Sequence, residues 1–221
     1  MLIMAIVMLV HPPAEKHVCS YSPQVNASEE GIGFKAPLGL LYIATYLKDQ
    51  LKNAVDPRVI DCPAEQLNIS ACVKKIVDAK PDIVGISAWS DFWYSAFKVG
   101  EEIKKKLPAG FIVYGGPHIA IYPEITLNIP HVDAVIVGDG EVPFYRLVKK
   151  ISERESHRES QDGLHFKESG INKNSLFYIE KDLDHLSIPD RALVDITKYN
   201  SLLFKGEYSS TMITSRGCPY R

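Results

Sequence analysis

The residues best suited to chemistry sit at the ends of apolar runs. Pro12-Pro13 follows the first run, and Ser87 and Trp89 close the third. Gly115-Gly116-Pro117-His118 closes the fourth and Gly138-Asp139-Gly140-Glu141 the fifth. Glycines at such places let backbone approach a ligand closely, and the N–H groups they expose bind polar or anionic groups. A tight strand-to-helix turn needs glycine just as much, and for any single turn that reading suffices. Grouped at one edge of a sheet, these turns favour a ligand site. His11 and His118 stand at strand ends, either near a ligand or solvated and locally bonded. Cys218 lies in the terminal string Ser215-Arg216-Gly217-Cys218-Pro219-Tyr220-Arg221.

Several chemistries lack their residues. There is no G-x-x-x-x-G-K-[ST] phosphate loop and no G-x-G-x-x-G after the first run; Gly31-Ile32-Gly33 falls in a long loop without its third glycine. No G-x-S-x-G elbow occurs, and none of the seven histidines belongs to an H-E-x-x-H pair. Cys19, Cys62, Cys72 and Cys218 form no C-x-x-C pair, which suggests neither a zinc site nor a secreted disulfide framework. A reducing cytoplasm is the expected setting. Lys and Arg number 25 against 27 Asp and Glu, so the net charge is −2. That excludes the strongly basic footprint of a nucleic-acid binder.

The elements that would position these turns alternate in period. The opening MLIMAIVMLV has ten apolar residues, too few to span a bilayer, with no preceding cation and His11-Pro12-Pro13 behind it. It reads as a buried parallel strand, Leu2–Val10, and no membrane partner is expected. Helices are predicted over Pro37–Leu51, Ser70–Lys80 (Ser70 as cap), Ser95–Leu107 and Pro143–Ile151, with one or two helical turns over Tyr122–Asn128. Strands are predicted at Arg58–Asp61, Asp82–Ala88, Gly110–Tyr114 and Val132–Val137. Lys104-Lys105-Lys106 reads as a solvated helix end. Five β-α units imply an α/β fold: a doubly wound, Rossmann-like or flavodoxin-like five-stranded parallel sheet over residues 1–151. Such sheets bind ligands beyond the carboxyl ends of their strands. Residues 152–163 are polar and read as a surface loop or mobile linker. LHFKESG and SLFYIE read as a small β-hairpin, and Ser209–Thr214 has strand-like composition. The 152–210 stretch is therefore a connecting segment.

Pro37-Leu38-Gly39-Leu40-Leu41-Tyr42, DIVGIS (82–87), YGGPH (114–118) and VDAVIVGDGE (132–141) together resemble the N-terminal cobalamin-binding domain of B12-dependent radical SAM enzymes. That family usually carries G-E-G-E where this chain has Gly138-Asp139-Gly140-Glu141. Leu186–Arg191 looks like the segment before the family's catalytic barrel. Ile213–Arg221 looks like the first barrel strand and the start of its C-x-x-x-C-x-x-C motif, so that 211–221 would begin a second, truncated domain. The resemblance implies sheet order 2-1-3-4-5. It also implies a corrinoid across the strand ends, bordered by Ser87, Gly115, Gly116, Pro117, His118, Gly138, Gly140 and Glu141, its nucleotide tail passing the small residues at 87, 115 and 116. It implies Cys218 as the first thiolate of a 4Fe–4S cluster that binds S-adenosylmethionine in a longer protein. That protein would carry out methyl transfer or related radical chemistry, partnered by a barrel absent from these residues. One thiolate cannot hold the cluster, so these residues alone are expected to bind and not catalyse. The D-x-H-x-x-G motif, whose histidine ligates cobalt in other B12 proteins, does not occur. Two alternatives stand beside this reading: a degenerate B12-fold scaffold or substrate-recognition domain without corrinoid, and a flavodoxin-like nucleotide or flavin binder.

Overall fold

The computed structural model describes residues 4–15, 35–153, 155, 158–199 and 208–217. Its centre is a six-stranded sheet built from β1 (Ala5–His11), β2 (Val55–Asp61), β3 (Ile83–Ser87), β4 (Phe111–Gly115), β5 (Ala134–Ile136) and β6 (Leu164–Phe166). The order is β2-β1-β3-β4-β5-β6. The first five strands are parallel, with Leu9 opposite Val59 and Gly85, and Ser87 opposite Gly115. The expected order therefore holds, and a sixth strand, antiparallel to β5, extends it.

Helices α1 (Leu38–Leu51), α2 (Ile69–Ala79), α3 (Trp93–Lys106), α4 (Pro117–Ile121), α5 (Pro123–Leu127) and α6 (Glu141–Ser152) connect the strands. Side chains alternate along each strand, so successive residues feed opposite cores. Met8, Val10, Val84, Ile86, Ile112 and Tyr114 pack with Val73 and Ile76 of α2 and Val99 and Ile103 of α3. Val7, Leu9, Ile83, Val113 and Ile136 pack with Leu41, Ala44 and Leu47 of α1 and Phe144, Leu147 and Val148 of α6. Each fully buried aliphatic side chain of this kind contributes roughly 1.5–3 kcal/mol. Cys62 and Cys72 are buried neighbours in the first core. The hydrogen bond to Cys72 and burial both push the Cys62 thiol's pKa up.

Several boundaries differ from the sequence reading for local reasons. The cap of α2 is Asn68, not Ser70: Asn68 has extended backbone angles, and its side chain accepts the Ala71 N–H at 2.8 Å. Lys104 is no free solvated end. Its ammonium donates to both Asp133 oxygens, at 2.7 and 3.0 Å, and to the Gly110 carbonyl, fastening α3 to the loop before β5.

The predicted hairpin does not form. β5 offers an open edge, and both of its predicted strands are drawn to that side of the sheet instead of to each other. LHF pairs antiparallel with β5. Tyr178 bridges Gly138, with the Tyr178 N–H donating to the Val137 carbonyl at 3.0 Å and the Asp139 N–H to the Tyr178 carbonyl at 2.8 Å. Within 158–163, Ser160 accepts the Phe166 N–H at 2.8 Å, and Asp162 pairs with Arg146 at 2.9 Å. These contacts pin the end of the expected loop. Ser209–Thr214 forms no strand among the described residues. Upstream of it, Asp190 docks on α1, its N–H on the Thr45 hydroxyl at 2.8 Å and its carboxylate on Lys48 at 2.7 Å.

Candidate functional site

A cavity of about 920 Å³ opens at the carboxyl ends of β1, β3, β4 and β5. Its floor is one face of the sheet: Leu9 and His11, Gly85 and Ser87, Val113 and Gly115, and Ile136, all of one parity along their strands. The start of α1 forms one side through Pro37–Leu40, Tyr42 and Ile43. The G-D-G-E turn and Phe144 form another, and Thr211–Ile213 with Ser215–Gly217 cross the mouth.

The predicted residues Ser87, Gly115, Gly116, Pro117, Gly138, Gly140 and Glu141 are brought together on this lining. His118 is not among them. It sits on α4, its ring stacked on Trp93 with centroids 4.2 Å apart and its Nδ1 3.2 Å from the Ser90 hydroxyl. Burial there holds its pKa below the usual histidine value. The expectation for Cys218 lies outside the described residues. Among the described residues no group of three or more His, Cys, Asp or Glu is arranged to hold a metal ion.

The glycines do different work. Gly116 has φ +100°, and a Cβ there would stand 2.8 Å from the Ala88 carbonyl oxygen. Gly138 has φ +101°, and its Cβ would strike the Tyr178 carbonyl at 2.0 Å. Both are glycine because the backbone demands it. Gly115 has ordinary angles, and nothing lies closer than 3.8 Å to where its Cβ would be. Its missing side chain is what leaves room on the cavity floor.

The polar groups are few. His11 Nδ1 lies 2.9 Å from Asp61 Oδ1, and the other Asp61 oxygen accepts the Tyr199 hydroxyl at 2.9 Å. Burial and the Asp61 charge raise the Tyr199 pKa, so it stays a neutral donor. The carboxylate thereby fixes the orientation of a histidine on the cavity floor. Glu141, which the resemblance puts beside the ligand, is 4% exposed. Its oxygens are taken by Arg216, with Nη1 at 3.2 Å. Thr211 Oγ1 is buried on the lining with no hydrogen-bond partner among the described residues. Sequence reasoning missed the roles of Arg216, Tyr42 and Thr211. Arg216 was visible only as part of a terminal string, and its partners are distant in sequence.

A corrinoid is a broad, largely apolar ring with amide arms and a nucleotide tail. A large apolar cavity floored by Gly115, with an orphaned hydroxyl at Thr211 to meet an amide, fits such a group. Residues 33–148 match the B12 binding domain family. This chain belongs to that family. An uncharacterized methyltransferase of Pyrococcus horikoshii is 34% identical over 219 residues, covering 97% of this chain and 43% of that protein. The solved structure of the cobalamin-dependent S-adenosylmethionine radical enzyme OxsB with aqua-cobalamin bound shares the fold at TM-score 0.62 and 18% identity, over 85% of this chain and 24% of that one. The radical S-adenosylmethionine methyltransferase TsrM of Kitasatospora setae, solved with cobalamin and a [4Fe-4S] cluster, does so at TM-score 0.57 and 19% identity, over 77% and 31%. This B12-binding domain thus resembles those of cobalamin-dependent radical SAM methyltransferases, and it spans less than half the length of the relatives it matches. Among the described residues no helix is long and apolar enough to cross a membrane.

Proposed function

We propose that the chain holds cobalamin across the carboxyl ends of β1, β3, β4 and β5, as the corrinoid-binding part of a radical SAM methyltransferase. The observation that carries this reading is the coincidence of the B12 binding family match with a cavity at the switch of strand order, where doubly wound sheets take ligands. When bound, the corrinoid supplies the methyl-group chemistry. The residues of this chain bind and orient it. Gly115 would leave space for it on the floor, Thr211 would offer a hydroxyl, and Asp61, which accepts the Tyr199 hydroxyl, would keep the His11 imidazole oriented on that floor. The apolar floor at Leu9 and the walls from Ile43 and Phe144 would exclude water.

In the same reading Cys218 is the first of three cluster thiolates, residues 211–221 lead into a second domain, and these 221 residues alone cleave no S-adenosylmethionine. Titration of the purified chain with hydroxocobalamin tests the proposal. A shifted corrinoid spectrum at stoichiometric ratio is expected, and FMN under the same conditions should leave the flavin spectrum unchanged. Tight flavin binding without corrinoid binding would reverse the assignment.

A further inference from the structure

The acids of Gly138-Asp139-Gly140-Glu141 open α6, where negative charge is favoured, and they border the cavity. Both are nevertheless committed to protein partners. Asp139 Oδ2 accepts the Glu180 N–H at 2.8 Å, and Oδ1 lies 3.2 Å from Arg216 Nη1. Glu141 receives both terminal nitrogens of the same guanidinium. The guanidinium also lies over the Tyr42 ring of α1, 4.9 Å from its centroid. One planar cation therefore joins α1, the β5–α6 turn and the 208–217 segment, a geometry that lysine cannot reproduce. Farther up that segment, the Arg191 guanidinium donates to the Thr211 carbonyl, and the Ser209 N–H donates to the Tyr199 carbonyl at 2.7 Å. Between these anchors Met212 and Ile213 stand on the cavity lining, 77% and 46% exposed. Among the described residues no backbone–backbone hydrogen bond reaches 210–217.

We infer that Arg216 is a positioning residue. The two acids of the G-D-G-E turn dock the segment that precedes Cys218 as the outer wall of the corrinoid cavity, and they do not themselves hold the corrinoid. This rests on the corrinoid reading above for its ligand, and on the ion-pair geometry alone for the docking. One consequence is that the end of the outer wall nearest Cys218 in sequence is set in register with the G-D-G-E turn by the Arg216 side chain.

Hydrogen exchange by mass spectrometry and hydroxocobalamin titration, both on the whole 221-residue chain, test it. Arg216→Ala should speed exchange of the 209–217 amides about tenfold and weaken hydroxocobalamin binding about tenfold, with exchange in β1, β3 and β4 unchanged. Arg216→Lys should fall between. Because Arg216→Ala leaves Glu141 buried without its cation, the double variant Asp139→Asn/Glu141→Gln is the second arm, and it should reproduce both effects. Weakened corrinoid binding in that double variant with no change in 209–217 exchange would mean that the acids touch the ligand, and would overturn the inference. So would unchanged exchange in Arg216→Ala. If the unaltered chain bound no hydroxocobalamin, the corrinoid reading would fall, and the exchange comparison would still decide the docking.

Discussion

The two faces of the sheet come from the same strands and end differently. On the face packed by α2 and α3, the last inward residues are Val10, Ile86 and Tyr114, all buried. One residue later on the same strands, the face packed by α1 and α6 presents His11, Ser87 and Gly115. Tyr114 closes its side. Its hydroxyl donates to the Ala96 carbonyl at 2.9 Å and lies 3.2 Å from His131 Nε2, and Gly100 stays bare to admit it. Gly115 leaves its side open. A step of one residue along a strand therefore separates a solid core from a binding cavity, and the large-small pairs Ile86-Ser87 and Tyr114-Gly115 record that choice in the sequence.

Substitutions at matched positions on the two faces sharpen this contrast. Gly100→Ala should destabilise the fold most, by about 3 kcal/mol, since its Cβ would stand 2.0 Å from the Tyr114 hydroxyl; urea unfolding reads this. Gly115→Leu should do the reverse. It should weaken hydroxocobalamin binding about a hundredfold while moving the unfolding midpoint little, because its side chain grows into the cavity and not into protein. A Gly115→Leu variant that binds as well as the unaltered chain would break the comparison.

Acid should loosen the closed face. Burial lowers the His131 pKa to about 4, so the folded state holds it neutral while the unfolded chain protonates near 6.5. The unfolded state binds the extra proton between those values, and stability falls as pH drops from about 6.5 towards 4. His118 and His165, lowered by burial as well, act in the same sense. A loss of about 2 kcal/mol between pH 7 and pH 5 is expected by urea unfolding, and His131→Gln should flatten most of it. Tyr114→Phe should cost about 1 kcal/mol, the worth of its hydroxyl bonds, and leave corrinoid affinity unchanged.

Much of this was legible in the residues. Buried parallel strands announce themselves as apolar runs, so AIVMLV, DIVGIS and VDAVIV could be placed to within a few residues, and the glycine turns after them marked the cavity edge. What stayed hidden depended on distant partners. The hairpin expectation failed because the open edge of β5 competes for LHF and Tyr178, and local composition carries no trace of that edge. His118 was grouped with the glycines beside it in sequence, but α4 turns its ring onto Trp93. Gly115 and Gly116 look alike in sequence and differ in φ and in what a Cβ would meet, so which one leaves space for a ligand was not readable. Arg216 meets Asp139, Glu141 and Tyr42 across intervals too long for any local pattern to show.

β6 has a consequence beyond topology. A parallel sheet ends in two rows of unpaired amides and carbonyls, and such rows recruit strands from other molecules. Here the β5 side is covered by a three-residue antiparallel strand too short to template another. The opposite border is β2, and it carries Pro57, which has no N–H to offer, flanked by the Asp56–Arg58 ion pair at 2.6 Å. Both borders are thus poor templates for a foreign strand. A sheet with a cavity of about 920 Å³ on one face is thereby guarded against edge-to-edge aggregation.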